Sequence, residues 1–325
     1  MKDVGRYLAF GQEQAENLSD SELEIKLDGL SAKIYYRMIM LVFFIVAGLA
    51  GMLAGAVVFG GPFAIVFGLA GFFAGSIVYI GVSFLRAEVR GLVSGSLVKG
   101  VLAEVFEISA YEPENHIDKK KIEAVSLMPF DWDVCEGNGY IKGEYKGVGF
   151  VFSNITLYLP RSKRSIKSFF AGGMFEGQWL IFELNADVPF LTIRRRVSLP
   201  DRVKKSEFKT DNDEFEKKYM IETRDPRFAA EICNPRFIEY LSGIDDRSGA
   251  RVYAGFSGSE AHIAVDSGRR FFNVKTTKNL RSVSVNEIRD QIRGEVRYIT
   301  DIIDELLRNE NISQLLLFRH YSDTN

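Results

Sequence analysis

Three histidines are the first candidates for catalysis or metal binding, and they lie far apart in the sequence. His116 falls in a polar connector, His262 in an alternating apolar segment and His320 near the end. A metal site needs several ligands close together, and the sequence around these histidines does not supply them. We therefore expect no metal site and no cofactor.

Asp131 and Asp133, on either side of Trp132, are a carboxylate pair whose spacing suits acid–base catalysis. Two residues that are two positions apart on a strand share a face, so both carboxylates could act on one substrate. Pairs of this kind are more often solvated or cap a turn. We prefer that interpretation and predict no catalytic residue.

Two further motifs have structural interpretations. Residues 137–143 come within one residue of a glycine-rich nucleotide-binding motif, but they follow no clear strand and open no helix, so we interpret them as a turn between strands. Cys135 and Cys233 belong to no Cys-x-x-Cys pair. We expect both to be reduced, small, buried side chains.

Two basic clusters could bind anionic lipid headgroups. One lies in a serine-rich segment and one at the end of a predicted strand; they comprise Arg161, Lys163, Arg164 and Lys167, and Arg194, Arg195 and Arg196. Each basic residue near an anionic membrane adds about 1 kcal/mol of attraction. The alternative is a solvated loop and strand end. The formal net charge of −2 gives no general attraction to nucleic acid, so none is expected as a partner.

The elements that position these residues begin with a stretch that has no charge. No Asp, Glu, Lys, Arg or His occurs in residues 38–85. Residues 38–59 and 63–84 are each 22 residues long and apolar or small. Each segment makes about 33 Å of helix, enough for a hydrocarbon core of about 30 Å. Because Gly60-Gly61-Pro62 breaks the helix between them, the sequence predicts a transmembrane hairpin over residues 38–84.

Charges on the flanks predict the orientation of this hairpin. Basic residues precede the first helix and follow the second, and the tip has none; they are Lys26, Lys33 and Arg37, and Arg86, Arg90 and Lys99. Positively charged flanks stay in the cytoplasm, so we expect both termini there. The alternative orientation would export the C-terminal domain without a signal peptide.

Glycines form a small-residue face on each predicted membrane helix. Gly51 and Gly55 in the first helix, and Gly71 and Gly75 in the second, have the four-residue spacing that lets backbones approach closely. These faces could pack the two helices of one hairpin together, or they could join hairpins in a homo-oligomer. The spans contain no ionisable residue, which argues against a pore.

Amphipathic segments flank the hairpin on both sides. Residues 1–37 form an N-terminal cytoplasmic segment in which a capping box at Ser19 and Glu22 precedes an apolar stripe. The stripe consists of Leu23, Leu27, Leu30 and Ile34. Residues 85–110 continue the second helix beyond the membrane. We expect the two segments to pair as a stalk; alternatively, the second one lies flat on the membrane surface.

From residue 111 the pattern changes to strands. Apolar alternation predicts strands over residues 139–145, 148–159, 179–184, 190–197, 251–256 and 261–265. A helical pattern covers residues 226–241 and is interrupted at Asn234-Pro235. A tight hairpin turn is predicted at residues 257–260. An apolar stripe from Ile288 to Leu306 predicts a long closing helix.

Strands followed by a closing helix predict an α+β fold built on a mainly antiparallel sheet. We assign residues 111–283 to the cytoplasmic α+β domain and residues 284–325 to the C-terminal helix and tail.

Several short motifs follow the hairpin in a distinctive order. They are Tyr111-Glu112-Pro113, Glu136-Gly137-x-Gly139, Phe152-Ser153, and the segments 175–182, 214–219, 225–230 and 235–238. This order resembles the bacterial membrane proteins catalogued as domain-of-unknown-function family 3137, over most of residues 35–275. The long helix and polar tail after residue 284 depart from that family.

The resemblance has three implications. It places the chain in the bacterial cytoplasmic (inner) membrane. It assigns no activity and no catalytic residue. The family's genes often stand beside those for LemA-type membrane proteins, which implies such a protein as a partner.

Together these observations predict a membrane-anchored cytoplasmic scaffold or partner-binding protein. The expected partners are the lipid bilayer, another membrane protein and, in one interpretation of the glycine faces, a second copy of the chain. Two alternatives stay open: a membrane-surface enzyme of undescribed chemistry, and a protein that binds anionic lipid.

Overall fold

A computed structural model describes residues 19–59, 61–159, 174–196, 207–273 and 284–317. The chain divides into two compact units, residues 1–101 with 272–293 and residues 102–271 with 294–325. The predicted α+β fold class is confirmed, because two long apolar helices precede an antiparallel sheet and a helix closes the chain.

Two long helices dominate the first unit. Helix α1 covers Asp20–Ala54 and continues as a π-helical turn over Gly55–Phe59; helix α2 covers Gly61–Leu92 and continues as a π-helical segment over Val93–Val98. The Glu22 carboxylate accepts a hydrogen bond from the Ser19 N–H at 2.9 Å, so the predicted capping box forms. Both helices are long and apolar enough to cross a membrane, judged by length and composition alone.

Glycines bring the backbones of α1 and α2 into direct contact. A Cβ atom added to Gly71 would lie only 2.8 Å from the Cα atom of Gly48, closer than real Cβ atoms come to other atoms. Gly75 has more room, since its nearest neighbour in that direction is Leu41 Cδ1 at 3.6 Å. The Gly48–Gly71 contact is therefore where a side chain would force the helices apart.

The other two predicted packing glycines also face the opposite helix. A Cβ atom on Gly51 would lie 3.1 Å from the Cβ atom of Phe67, and one on Gly55 would lie 3.0 Å from the backbone nitrogen of Ala64. The hairpin itself thus occupies the space beside these glycines. Self-association of hairpins stays a prediction.

The pairing of the two helices extends beyond the apolar stretch. Arg37 Nη1 donates a hydrogen bond to the Gly81 carbonyl oxygen at 2.8 Å, which fixes the helix register at this level. The α1 stripe is buried, and so are residues of α2 and of the π-helical segment after it; they are Leu23, Leu27, Leu30 and Ile34, and Val89, Leu92 and Leu97. This burial agrees with the predicted stalk.

Large apolar side chains cover the outside of the hairpin. Phe43 is 65% exposed, Leu53 71% and Phe72 69%. Exposure of this extent along two complete helices is unfavourable in water, whereas lipid tails are as apolar as the side chains themselves. The hairpin surface therefore suits a bilayer.

The second unit is built on an antiparallel sheet. Its strands are β1 (Glu107–Glu112), β2 (Val134–Tyr145), β3 (Val148–Tyr158), β4 (Phe175–Arg195), β5 (Glu207–Phe208), β6 (Tyr219–Thr223) and β7 (Arg251–Asp266). The order is β1-β2-β3-β4-β6-β5, and β7 pairs with β4. The first half of β4 lies between β3 and β7, and its second half lies between β6 and β7.

Strands β4 and β7 bend where the sequence predicts breaks. The segments 179–184 and 190–197 fall in one strand, and the predicted hairpin turn at residues 257–260 is wrong because β7 is continuous. The register between β4 and β7 shifts on both sides of the Val188–Gly258 pair, and Gly258 has φ +57°. A glycine with positive φ serves a bulge as well as a turn, and here it lets paired strands bend together.

Two other predictions need correction. Residues 137–143 are not a turn; they lie in β2, whose pairing with β3 shifts between Asn138 and Ile141, next to Gly139 at φ +71°. The helix after the hairpin ends with α3 (Lys99–Val105), and β1 takes residues 107–112, so the helical segment does not reach residue 110.

Helices cover both faces of the sheet. On one face, Ile122 of α4 (Lys119–Ala124) packs in a cluster with Trp179 and Ile181. On the other, the Phe271 ring lies 5.3 Å from the Tyr298 ring of α8 (Val285–Arg308), and α9 (Glu310–Leu317) follows.

Burial of the predicted stripe on α8 is confirmed. Ile288, Ile292, Val296, Ile299, Ile303 and Leu306 are all buried. The remaining helices are α5 (Asp213–Lys218), α6 (Pro226–Ile232) and α7 (Pro235–Ser248), and the break between the last two is the one predicted at Asn234-Pro235.

We predict that Gly71→Ala destabilises the hairpin whereas Gly75→Ala is tolerated. The first substitution places a methyl group 2.8 Å from the Gly48 backbone, and the second places it at an ordinary contact distance of 3.6 Å from a flexible leucine. The thermal midpoint of the detergent-solubilised protein, measured by fluorescence-detected size exclusion, should fall for Gly71→Ala only. Equal midpoints for the two variants would contradict the packing described here.

Candidate functional site

His262, Glu260 and Lys121 form a group of three ionisable side chains beside the pairing of β7 with β4. His262 is fully buried, and the Trp179 Nε1–H donates a hydrogen bond to its Nδ1 at 3.2 Å. Because indole is only a donor, His262 carries its proton on Nε2, which faces Glu260 Oε2 at 3.3 Å. Lys121 Nζ of α4 donates to the other Glu260 oxygen at 2.6 Å.

Electrostatics hold this group in one protonation state. Burial lowers the pKa of His262, so the imidazole stays neutral at ordinary pH. The hydrogen bond from His262, with that from Lys121, lowers the pKa of Glu260 to about 2. A general base needs a free lone pair within reach of substrate, and the Trp179 N–H already occupies the one on His262. The group therefore ties α4 to the sheet.

A second buried polar group holds the chain that follows β7. Asn154 Nδ2 donates to the Phe271 carbonyl oxygen at 2.9 Å, and Asn154 Oδ1 accepts from the Phe271 N–H at 2.7 Å. Gln178 Nε2 donates to the Arg269 carbonyl oxygen at 2.7 Å, and Ser267 Oγ donates to Gln178 Oε1 at 2.9 Å. We call Asn154, Gln178 and Ser267 the loop clamp.

The loop clamp is a feature that the sequence analysis missed. Asn154 and Gln178 are essentially inaccessible to solvent, and they lie opposite each other in the β3–β4 pairing. A polar residue at an inward position of an otherwise apolar strand was the signal that could have found them. Since a buried amide is costly without hydrogen bonds, their backbone partners explain why both are present.

The structure places the second basic cluster among carboxylates. Arg194 pairs with Glu222 across the β4–β6 ladder. Arg196 pairs with Glu207 and donates to the Glu216 carbonyl oxygen at 2.6 Å. Both arginines thus support the end of the sheet. Contact of this cluster with lipid headgroups stays a prediction.

The other basic cluster lies outside the described residues. It comprises Arg161, Lys163, Arg164 and Lys167. His320 also lies outside them.

The remaining candidates do not come together. His116 Nδ1 lies 2.7 Å from the carbonyl oxygen of Ile117, and Asp131 and Asp133 are exposed residues just before β2 rather than within a strand. Within the described part of the chain, no group of three or more His, Cys, Asp or Glu side chains could hold a metal ion.

Both cysteines are free; Cys233 is buried as predicted, whereas Cys135 is only partly buried. Burial raises the pKa of the Cys135 thiol to about 11 and that of Cys233 to about 12. Thiols with such high pKa values are poor nucleophiles at neutral pH.

We predict that Glu260→Gln lowers stability at neutral pH and flattens its dependence on acid. The folded pKa of Glu260 lies below its usual value of 4.5, so its contribution is complete above about pH 4.5 and is lost as the pH falls toward about 2. We expect a thermal midpoint about 2–4 °C lower at pH 7, as for a loss of about 1 kcal/mol, and a difference from wild type that shrinks as the pH falls toward about 2.

Glu239→Gln, at an exposed position of α7, is the matched control and should leave the midpoint unchanged. An equal effect of the two substitutions would refute a specific role for Glu260.

Comparisons with known proteins identify one family. Residues 173–308 match the model of the family described as "Protein of unknown function (DUF3137)". No curated protein matches the chain. Among solved structures, the crystal structure of the mycobacterial trehalose monomycolate transport factor A, TtfA, aligns with 61% of this chain and 93% of its own, at 11% identity and a TM-score of 0.28. A similarity at that level supports no inference about the fold or the function of this chain.

The family model matches residues 173–308, whereas the resemblance in the sequence covers most of residues 35–275. It begins just before β4 and runs to the end of α8, so the expectation that the long helix departs from the family is wrong. The motifs before residue 173 lie outside the matched range. The strands and helices from β4 through Arg308 thus match the model of the family that the motif order predicted.

Proposed function

We propose that this protein is a membrane-anchored scaffold whose α+β domain binds another membrane protein in the cytoplasm. The hairpin formed by α1 and α2 holds the chain in the bacterial cytoplasmic membrane. The N-terminal segment and the C-terminal domain both lie on the cytoplasmic side.

One observation carries this proposal: among the described residues, most of the large exposed apolar side chains lie on the hairpin. Phe43, Leu53 and Phe72 are exposed on helices long enough to span a bilayer. Basic residues flank both helices and are absent from the tip, which supports the cytoplasmic orientation.

The chemistry of the α+β domain favours binding over catalysis. His262 is enclosed with both ring nitrogens occupied, and the loop clamp directs its amides to backbone groups. Arg194 and Arg196 pair with carboxylates of the same sheet. These polar groups stabilise the domain, and its function is therefore assigned to its surface.

We predict that both termini are cytoplasmic. A fluorescent reporter that folds only in the cytoplasm should be active when it is fused before Asp20 or after Asn325. Pro62→Cys, at the exposed tip of the hairpin, should react with a membrane-impermeant maleimide added outside intact cells, and Ser109→Cys in β1 should react only after permeabilisation. Labelling of Ser109→Cys in intact cells would overturn the orientation.

We also predict that the α+β domain contacts one particular membrane protein. A photo-crosslinking amino acid placed in turn at Glu107, Asp187 and Glu239, all exposed, should join the full-length protein to the same partner from at least one position in native membranes. The same amino acid at Phe43, on the lipid-facing surface, is the control. Crosslinked peptides identified by mass spectrometry should recur between replicates.

Binding of the purified partner to the purified full-length protein would then confirm a direct interaction. Crosslinks to lipid alone, or to a different protein in each replicate, would contradict the scaffold function.

A further inference from the structure

An arginine side chain is held over the seam between α1 and α2. Arg37 Nη1 donates to the Gly81 carbonyl oxygen at 2.8 Å. A Cβ atom on residue 81 would lie 2.6 Å from the same nitrogen, so the guanidinium occupies space that only glycine leaves free. One side of the guanidinium is thus fixed, and its remaining N–H groups are available to a ligand.

A second arginine reaches the same seam from the opposite helix. Arg86 Nη2 lies 3.8 Å from the sulfur of Met38, the residue that follows Arg37. The Arg86 Nε atom is buried and has no hydrogen-bond partner among the described residues. A buried guanidinium N–H without a partner is costly, which points to a ligand that accepts from it.

Neither arginine has a counter-charge in the described part of the chain. The carboxylates that form ion pairs there do so with other basic groups, such as Asp20 with Arg289 in the same unit. Two guanidinium groups that reach the same seam with no carboxylate partner among the described residues favour an anion, and guanidinium groups bind phosphate oxygens through paired N–H donors.

The length of the apolar helices places this pair at the level of the lipid phosphates. The uncharged part of α1 starts at Met38, directly after Arg37, and runs about 33 Å to the tip. The hydrocarbon core of a bilayer is about 30 Å thick, so a hairpin that fills it puts Arg37 and Arg86 at its cytoplasmic surface.

We propose that Arg37 and Arg86 bind the phosphate of an anionic phospholipid at the cytoplasmic end of the hairpin. Gly81 leaves the space in which the Arg37 guanidinium lies. This headgroup site rests on the proposed membrane insertion, and it is separate from the basic clusters of the α+β domain. A zwitterionic lipid brings its own ammonium group beside the phosphate, so two guanidinium groups without a counter-charge among the described residues select an anionic one.

The test measures which lipid stays on the full-length protein. Protein reconstituted in equal parts of phosphatidylglycerol and phosphatidylcholine is extracted in mild detergent, and bound lipid is counted by native mass spectrometry. Wild type should retain phosphatidylglycerol in preference to phosphatidylcholine. The double variant Arg37→Gln/Arg86→Gln should lower retention about tenfold, the effect of losing one strong charged hydrogen bond.

Two matched pairs of variants separate the site from general charge. Lys33→Gln removes one positive charge a helical turn before Arg37 and should have less effect than Arg37→Gln. Gly81→Ala removes no charge but displaces the Arg37 guanidinium, so it should also lower retention. Gly29→Ala, where a Cβ atom meets nothing within 4 Å, should not.

Three outcomes would overturn the headgroup site while leaving the membrane anchor intact. They are equal retention of the two lipids by wild type, equal losses from Lys33→Gln and Arg37→Gln, and unchanged retention by the double variant Arg37→Gln/Arg86→Gln. A protein that stays in solution without detergent and does not enter the vesicles would instead refute the membrane anchor itself.

Discussion

The α+β domain depends on the backbone hydrogen bonds of β4. This strand pairs with β3, β6 and β7. It therefore connects strands β1 to β3 with strands β6 and β5 and with β7. Its side chains enter each buried polar group described above: Gln178 in the loop clamp, Trp179 at His262, and Arg194 in the pair with Glu222. A residue in a strand that pairs on both sides has little freedom to move, which suits polar contacts that must all be satisfied at once. Because β4 is paired on both sides, it holds these buried polar side chains where their hydrogen-bond partners can reach them.

Features that depend on local pattern could be predicted from the sequence. The hairpin followed from an uncharged stretch, and the closing helix followed from an apolar stripe with helical spacing. The bends of β4 and β7 could not be predicted, because Pro189 and Gly258 give the same local signal in a bulge as in a turn. Only the partner strand decides between the two, and that partner lies about 70 residues away in sequence.

The same limit applies to the candidate sites. Arg194 to Arg196 are three adjacent basic residues, which is typical of a solvated or lipid-binding surface, yet the fold brings Glu222 and Glu207 to two of them. Asn154 and Gln178 carry no recognisable motif, since their partners are backbone atoms of a distant loop. A charged or polar residue thus acquires its role from contacts distant in sequence. Hydrophobic periodicity contains no information about those contacts.

The hairpin follows a different physical rule from the domain. Inside lipid no hydrophobic effect drives helices together, so close backbone packing must do it. The Gly48–Gly71 contact provides that packing deep in the apolar stretch, and Gly81 leaves room for the Arg37 guanidinium near the end of that stretch. Glycine thus acts at both depths by leaving room, first for a neighbouring backbone and then for a cation. Since the packing glycines turn inward, the outer surface of the hairpin is left to large apolar side chains such as Phe43 and Phe72, which favours lipid over water around it.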